Sequence, residues 1–210
     1  MTLIVSALFD NCAIQTTDSR MAVYSADAQR KLTASHDTAI KRYNFLNGSV
    51  SMAIAGCYSV NRIELPIYFR EFETAEFETP KELINKIQER LNQDMTEQEK
   101  GEGIIANFIF KNDDKYKLVE ISNFIYDGLN HIANPNLEIT QRELEEGKHI
   151  VYANGNKEAI REFYFQIRTA EETKQTFENP SDLIKTIFSR TIEKLNSIPS
   201  SQNQHRQPLQ

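Results

Sequence analysis

The chain has 210 residues, with 24 Lys and Arg against 30 Asp and Glu for a formal net charge of −6, and 40% of its residues are hydrophobic. That is enough apolar material for one domain with its own core, expected over 1–200 and followed by a polar, disordered tail at 201–210. The basic residues are interleaved with acids rather than gathered into a stripe, which excludes a nucleic-acid surface. No apolar run approaches the roughly 20 residues that span a bilayer and no basic-then-apolar leader opens the sequence, so a cytoplasmic protein without a membrane partner is expected.

The first 20 residues read as a hairpin, TLIVSALF and CAIQTT, because Asp10-Asn11 between them tolerates the left-handed backbone of a two-residue turn. That turn sets Thr2 opposite Ser19, whereas a three-residue turn would align Thr2 with Asp18. Residues 21–38 are small and polar and are expected to form a loop. AIKRYNFLNGSVSMAIAGC then gives a second hairpin turning at Asn47-Gly48. Its return strand is apolar or small throughout, as suits a strand covered on both faces.

Residues 59–74 carry a helical apolar pattern that Pro66 interrupts. TPKELINKIQERLNQDM has Thr79 as N-cap, Pro80 at the first helical position and Glu82 in place for a capping box, with Leu83, Ile84, Ile87 and Leu91 at helical spacing. Strands return at GIIANFIFKNDDKYKLVEIS, turning at Asp113-Asp114 or Asn112-Asp113, and at KHIVYANGN. A helix follows Asn156, and a last one is capped by Asn179, Pro180 and Asp182, with an apolar stripe of Leu183, Ile184, Ile187, Ile192 and Leu195. The order of elements predicts an α+β protein of two stacked antiparallel sheets with helices outside.

Cys12 and Cys57 lie on separate apolar segments and read as buried reduced thiols. His36, His131, His149 and His205 are scattered, so no metal centre or other cofactor is expected.

Taken alone, Thr2 is an ordinary strand residue. A threonine hydroxyl needs a base to act as a nucleophile, and a chain-terminal threonine carries one in its own α-amine, whose ordinary pKa is about 7.7 to 8. A neighbouring ammonium lowers that value further, and a carboxylate is then needed to hold the ammonium charged. Asp18 offers the carboxylate, and Lys41 the cation, with Arg42 as a competing assignment. Gly56 offers a backbone N–H for an oxyanion, or simply lets two strands approach.

These stretches, TLIVSALF, TTDSR, IKRYNFLNG and MAIAG, resemble proteasome β-type subunits and their bacterial HslV-like relatives, the N-terminal nucleophile hydrolases with a mature terminal threonine. The resemblance covers about the first 60 residues; beyond them only the order of elements agrees. It implies a four-layer αββα sandwich and a threonine peptidase or amidohydrolase acting on peptide or unfolded protein. In it Thr2 is the nucleophile once Met1 is trimmed, Asp18 the buried carboxylate, Lys41 the lysine that lowers the amine's pKa and Gly56 the oxyanion donor. Arg20 fits as a structural tie. It also implies a homo-oligomeric ring, and names no ATPase partner.

Two departures stand out. ANGN puts Asn154 where the family has a serine, and LNSIPSS offers Asn196, Ser197, Ser200 and Ser201 where the family has an aspartate and a serine. They keep two further readings open: a catalytically silent scaffold or binding subunit, and a non-peptidase amidase or ligase. NGNK at 154–157 reads most simply as the cap of the next helix.

Overall fold

A computed structural model describes residues 2–19, 21–24, 32–36, 39–126, 131–145, 148–173 and 179–197. In chain order the strands are β1 (Leu3–Leu8), β2 (Ala13–Thr17), β3 (Met21–Tyr24), β4 (Leu32–His36), β5 (Arg42–Phe45), β6 (Val50–Gly56), β7 (Ser59–Val60), β8 (Ile63–Glu64), β9 (Ile104–Asn112), β10 (Lys115–Tyr126), β11 (His131–Glu143) and β12 (Ile150–Gly155). The helices are α1 (Leu65–Tyr68), α2 (Arg70–Thr74), α3 (Pro80–Asp94), α4 (Glu97–Glu102), α5 (Lys157–Glu172) and α6 (Pro180–Ser197). The fold is mixed α+β, and the chain divides into two units, Met1–Gly155 and Asn156–Gln210.

Asp10 and Asn11 turn the chain back within two residues: Phe9 N–H donates to Cys12 O at 2.8 Å, and β1 pairs with β2 so that Ile4 faces Thr17 and Leu8 faces Ala13. The register of the two-residue loop therefore holds. β12 pairs with the other side of β1, Leu3 facing Gly155, which makes β1 the central strand of a three-stranded antiparallel sheet. All of β1 is buried.

The second sheet has five strands in the order β11-β10-β9-β6-β5. The β5–β6 hairpin turns through Leu46, Asn47 and Gly48, all at positive φ, and the β9–β10 hairpin turns at Asp113-Asp114. Successive strand residues alternate between two cores, as the period of two requires. Val50, Met52, Ile54, Ala106, Phe108, Val119 and Ile121 pack with Leu83, Ile84, Ile87 and Leu91 of α3 and with the aromatic residues of α1 and α2. The opposite parity meets the three-stranded sheet: Ala53 and Ala55 touch Ile4, while Ile109 and Leu118 touch Leu8. β6 is thus covered on both faces, as its apolar composition predicts.

Four expectations need correction. The loop expected over 21–38 contains the paired strands β3 and β4, Met21 facing His36; the small, polar composition masks two short runs with Val23, Tyr24 and Thr33 among them. Of the helical pattern at 59–74, the first part pairs instead as β7 and β8, and Pro66 does not break a helix but sits in the first turn of α1, where its missing N–H costs no bond. The capping box at α3 is only half made: Thr79 Oγ1 accepts from Glu82 N–H at 3.2 Å, but the Glu82 carboxylate takes Glu78 N–H instead. Cys12 is half-buried, and only Cys57 is a buried thiol.

β11 has no counterpart in the sequence reading. It is polar and contains Pro135, a residue tolerated there because β11 is an edge strand.

In the unit Asn156–Gln210, Asn156 Oδ1 accepts the N–H groups of Glu158 and Ala159, and Asn179 Oδ1 accepts that of Asp182. α6 buries Ile184, Ile187 and Thr191, while Leu183, Ile192 and Leu195 of the expected stripe are only half-buried. Lys194 pairs with Glu162 of α5 at 2.8 Å. The tail at 201–210 lies outside the described residues, and no helix among those described is long and apolar enough to cross a membrane.

A complete capping box does occur, at Thr96 and Glu99 on α4. Burial alone would raise the Glu99 pKa, but N–H groups of Asn61, Thr96 and Arg62 donate to its carboxylate and hold it below 4.5. A depressed carboxylate pKa contributes stability above about 4.5 that is lost as pH falls through the folded value. Glu99→Gln is therefore expected to cost about 1 kcal/mol in urea unfolding at pH 7 and progressively less towards pH 3. A pH-independent difference would contradict this origin.

Candidate active site

At the open end of the first hairpin, Asp18 lies across from Leu3. Asp18 N–H donates to Leu3 O at 3.1 Å, but Leu3 N–H is taken by the Asp18 side chain, Oδ1, at 2.9 Å. The carboxylate has replaced the backbone carbonyl as the last rung of the ladder, which turns it inward beside the start of the chain. Asp18 is 8% exposed. Among the described residues its Oδ2 has no hydrogen-bond partner.

Lys41 arrives from the other sheet. Its backbone is tied to β6, Lys41 O accepting Ile54 N–H at 2.9 Å, and Tyr43 Oη donates to the carbonyl of the neighbouring Ile40 at 3.1 Å. From this anchored position Lys41 Nζ donates to Asp18 Oδ1 at 3.2 Å and to Thr2 Oγ1 at 3.1 Å. Lys41 is only 7% exposed. Burial lowers its pKa from the ordinary 10.5, while the charge and hydrogen bond of Asp18 act in the opposite direction. Arg42, the competing assignment, is exposed on β5.

The register matters here. By extension of the ladder Thr2 faces Ser19 rather than Asp18, so Thr2 and Asp18 are not direct cross-strand partners. Lys41 joins them.

Gly56 ends β6, one residue beyond Ala55, whose side chain touches Ile4. This puts the glycine at the end of β6 next to the residue that packs on β1, and it is exposed there. Its φ is +109°, in the region that favours glycine, and a methyl group there would overlap the Gly103 carbonyl oxygen. The structure thus brings Thr2, Asp18 and Lys41 into hydrogen-bond contact and seats Gly56 nearby with an exposed backbone.

Asn154 belongs elsewhere. On β12 it faces Ile4, and its amide accepts from Asn107 Nδ2 at 2.6 Å and donates to Glu120 at 3.3 Å, inside a polar layer between the sheets that also holds Gln15 and Ser51. The helix cap is Asn156. Asn196 and Ser197 are exposed at the end of α6, and Arg20, Ser200 and Ser201 lie outside the described residues.

Gly155 is a site residue that the sequence reading passed over. It pairs with Leu3 at φ +118°, and a methyl group on it would overlap the Thr2 carbonyl oxygen, so the position of Thr2 depends on a glycine across the sheet. Its signal lies in the same ANGN run, as a glycine between two asparagines where a strand ends.

No family model matches the chain, and no curated protein matches it in sequence.

Removing one member of a buried ion pair leaves the other charge without compensation, at a cost of about 3–5 kcal/mol. Lys41→Met is accordingly expected to lower stability to urea by about 3 kcal/mol, and adding Asp18→Asn to recover most of that loss, since the amide oxygen still accepts Leu3 N–H. Additive losses in the double variant would mean the pair is not coupled.

Proposed function

We propose that this protein is a proteasome-like threonine peptidase or amidohydrolase of the N-terminal nucleophile type, with Thr2 as nucleophile after removal of Met1. The observation that carries the reading is the contact of the buried Lys41 ammonium with the hydroxyl of Thr2, the residue after Met1. The accompanying fold reading is the four-layer αββα sandwich.

An Oγ1 that accepts from Lys41 has its own O–H proton free for a base, and the nearest base on a chain beginning at Thr2 is its α-amine. The ammonium of Lys41 favours the unprotonated amine. Oγ1 adds to an amide carbonyl, its proton passes to the amine directly or through one water, and the carbonyl oxygen becomes an oxyanion that Gly56 N–H stabilises. Collapse breaks the C–N bond, the amine returns its proton to the leaving nitrogen, and a water then cleaves the ester to release the acid and regenerate Thr2. Asp18 holds Lys41 in place and charged. A retained Met1 would convert the base into an amide nitrogen and stop the cycle.

The substrate on this reading is a peptide or unfolded protein, and the assembly a ring of identical subunits. A catalytically silent subunit of the same architecture is the competing reading, favoured by Asn154, whose amide is taken up between the sheets. Hydrolysis of fluorogenic peptides by protein of verified N-terminal mass separates the two. Activity is expected when the chain begins at Thr2, falling about 10³-fold or more in Thr2→Ala. No turnover from such a chain would favour the silent subunit.

The pH profile supplies a second test. The burial that lowers the Lys41 pKa puts the alkaline limb of activity below 10.5. Asp18 raises that pKa, so in Asp18→Asn any residual activity is expected to lose its alkaline limb at still lower pH. A shift to higher pH would contradict the assigned roles.

A further inference from the structure

Gly56 is held from a part of the sequence that the proposed chemistry does not use. At β6–β9, Gly56 faces Ile104, Cys57 N–H donates to Gly103 O at 3.2 Å, and the Gly103 carbonyl occupies the space a Gly56 side chain would need. The backbone of Gly56 therefore follows that of Gly103. Gly103 is in turn confined: at φ +78° it closes α4, its N–H donating to Glu99 O and Lys100 O, and any side chain on it would overlap the ring of Phe124.

What fixes this junction is the amide of Asn123, 1% exposed. The β10–β11 register shifts between Ser122 and Phe124, where β11 carries the extra residues Asn134 to Leu137 opposite Asn123 alone, so Asn123 drops out of regular pairing just where the β9–β10 ladder has reached Ser122 and Ile105. Its side chain continues the pairing that its backbone abandons. Oδ1 accepts Ile104 N–H at 2.8 Å, while Nδ2 donates to Lys100 O at 2.8 Å and to Asn134 O at 3.0 Å. One planar amide thus clamps the end of α4, the start of β9 and the edge strand β11.

We propose that Asn123 is a positioning residue for the oxyanion donor: through Ile104 and Gly103 it sets the direction of Gly56 N–H. The inference deepens the functional reading above and rests on it. Aspartate at this position would set a carboxylate against the Lys100 and Asn134 carbonyls in place of a donor, pushing the junction apart while preserving side-chain size.

The test compares two probes on one nucleophile. A peptide β-lactone acylates Thr2 by forming an Oγ–C bond and breaking the ring C–O bond, passing through an oxyanion. A peptide vinyl sulfone adds Oγ to a carbon–carbon double bond, and its developing charge rests on the sulfone without any carbonyl oxyanion. Asn123→Asp is expected to slow lactone labelling at least tenfold more than vinyl sulfone labelling, because a displaced donor forfeits part of the roughly 10²–10³-fold that one oxyanion hydrogen bond supplies. Equal slowing of both, or of neither, would overturn the inference.

An activity-free readout accompanies it. In protein labelled with ¹⁵N-glycine, the Gly56 and Gly103 amide peaks are expected to move together in the variant; movement of Gly103 alone would overturn the proposed linkage. If Asn123→Asp does not fold, Phe124→Leu loosens the same junction from its apolar side, and the same outcomes are read. Wild-type protein beginning at Thr2 that neither probe labels would instead remove the nucleophile reading itself.

Discussion

The site rests on one buried ion pair. Lys41 and Asp18, their side chains only 6% and 5% exposed, stand 3.2 Å apart, and desolvating two charges at such a place costs several kcal/mol for each. That cost is offset in part by further hydrogen bonds, and here those run to the start of β1, while Asp18 Oδ2 has no partner among the described residues. Asp18 takes Leu3 N–H, and Lys41 reaches Thr2 Oγ1. The pair therefore locates Thr2 as much as it stabilises itself. Thr2 is thereby tied to residues of both sheets at once.

Around this pair, side chains give way to backbone. Gly56, Gly103 and Gly155 each have positive φ and each lie where a methyl group would strike a carbonyl oxygen or an aromatic ring. Three segments far apart in sequence can approach closely only because these positions lack a Cβ. The polar atoms exposed by such close packing find partners in the same region, among them the Asn123 amide at the β10–β11 register shift and the Glu99 carboxylate at the turn of Asn61 and Arg62. The inter-sheet layer of Gln15, Ser51, Asn107, Asn154 and Glu120 does the corresponding work farther along β1, fixing the stacking of the sheets through oriented hydrogen bonds rather than through apolar contact alone.

What could be read from the sequence was what is local. Asn47-Gly48 and Asp113-Asp114 announce their turns through residues that take positive φ, Asp10-Asn11 turns where expected but without the left-handed backbone, and Thr79, Asn156 and Asn179 announce helix starts through short-range side-chain bonds. The two-residue turn in turn fixed the register that puts Asp18 across from Leu3. Thr2, Asp18 and Lys41 were legible as a set because the chemistry of an amine base calls for a cation and a carboxylate at modest separation in the chain. β11 was not legible, since its pairing with β10 is supplied by backbone and its sequence is polar with a proline at a sheet edge. β3 and β4 were hidden by composition. The roles of Gly103, Asn123 and Gly155 could not be read at all: each depends on which backbone lies beside it, a fact of tertiary register that leaves no periodic trace.

The central claim is that Thr2 combines a hydroxyl activated by Lys41 with a free amine of its own. The measurement that bears on it most directly is tandem mass spectrometry of the N-terminal peptide after treatment with a peptide epoxyketone, a reagent that closes a ring on adjacent hydroxyl and amine groups. The account predicts one adduct joined to both Oγ and the α-nitrogen of Thr2, absent when Lys41 is replaced by alanine. A protein that begins at Thr2 yet remains unmodified, or is modified at any other residue, would contradict it.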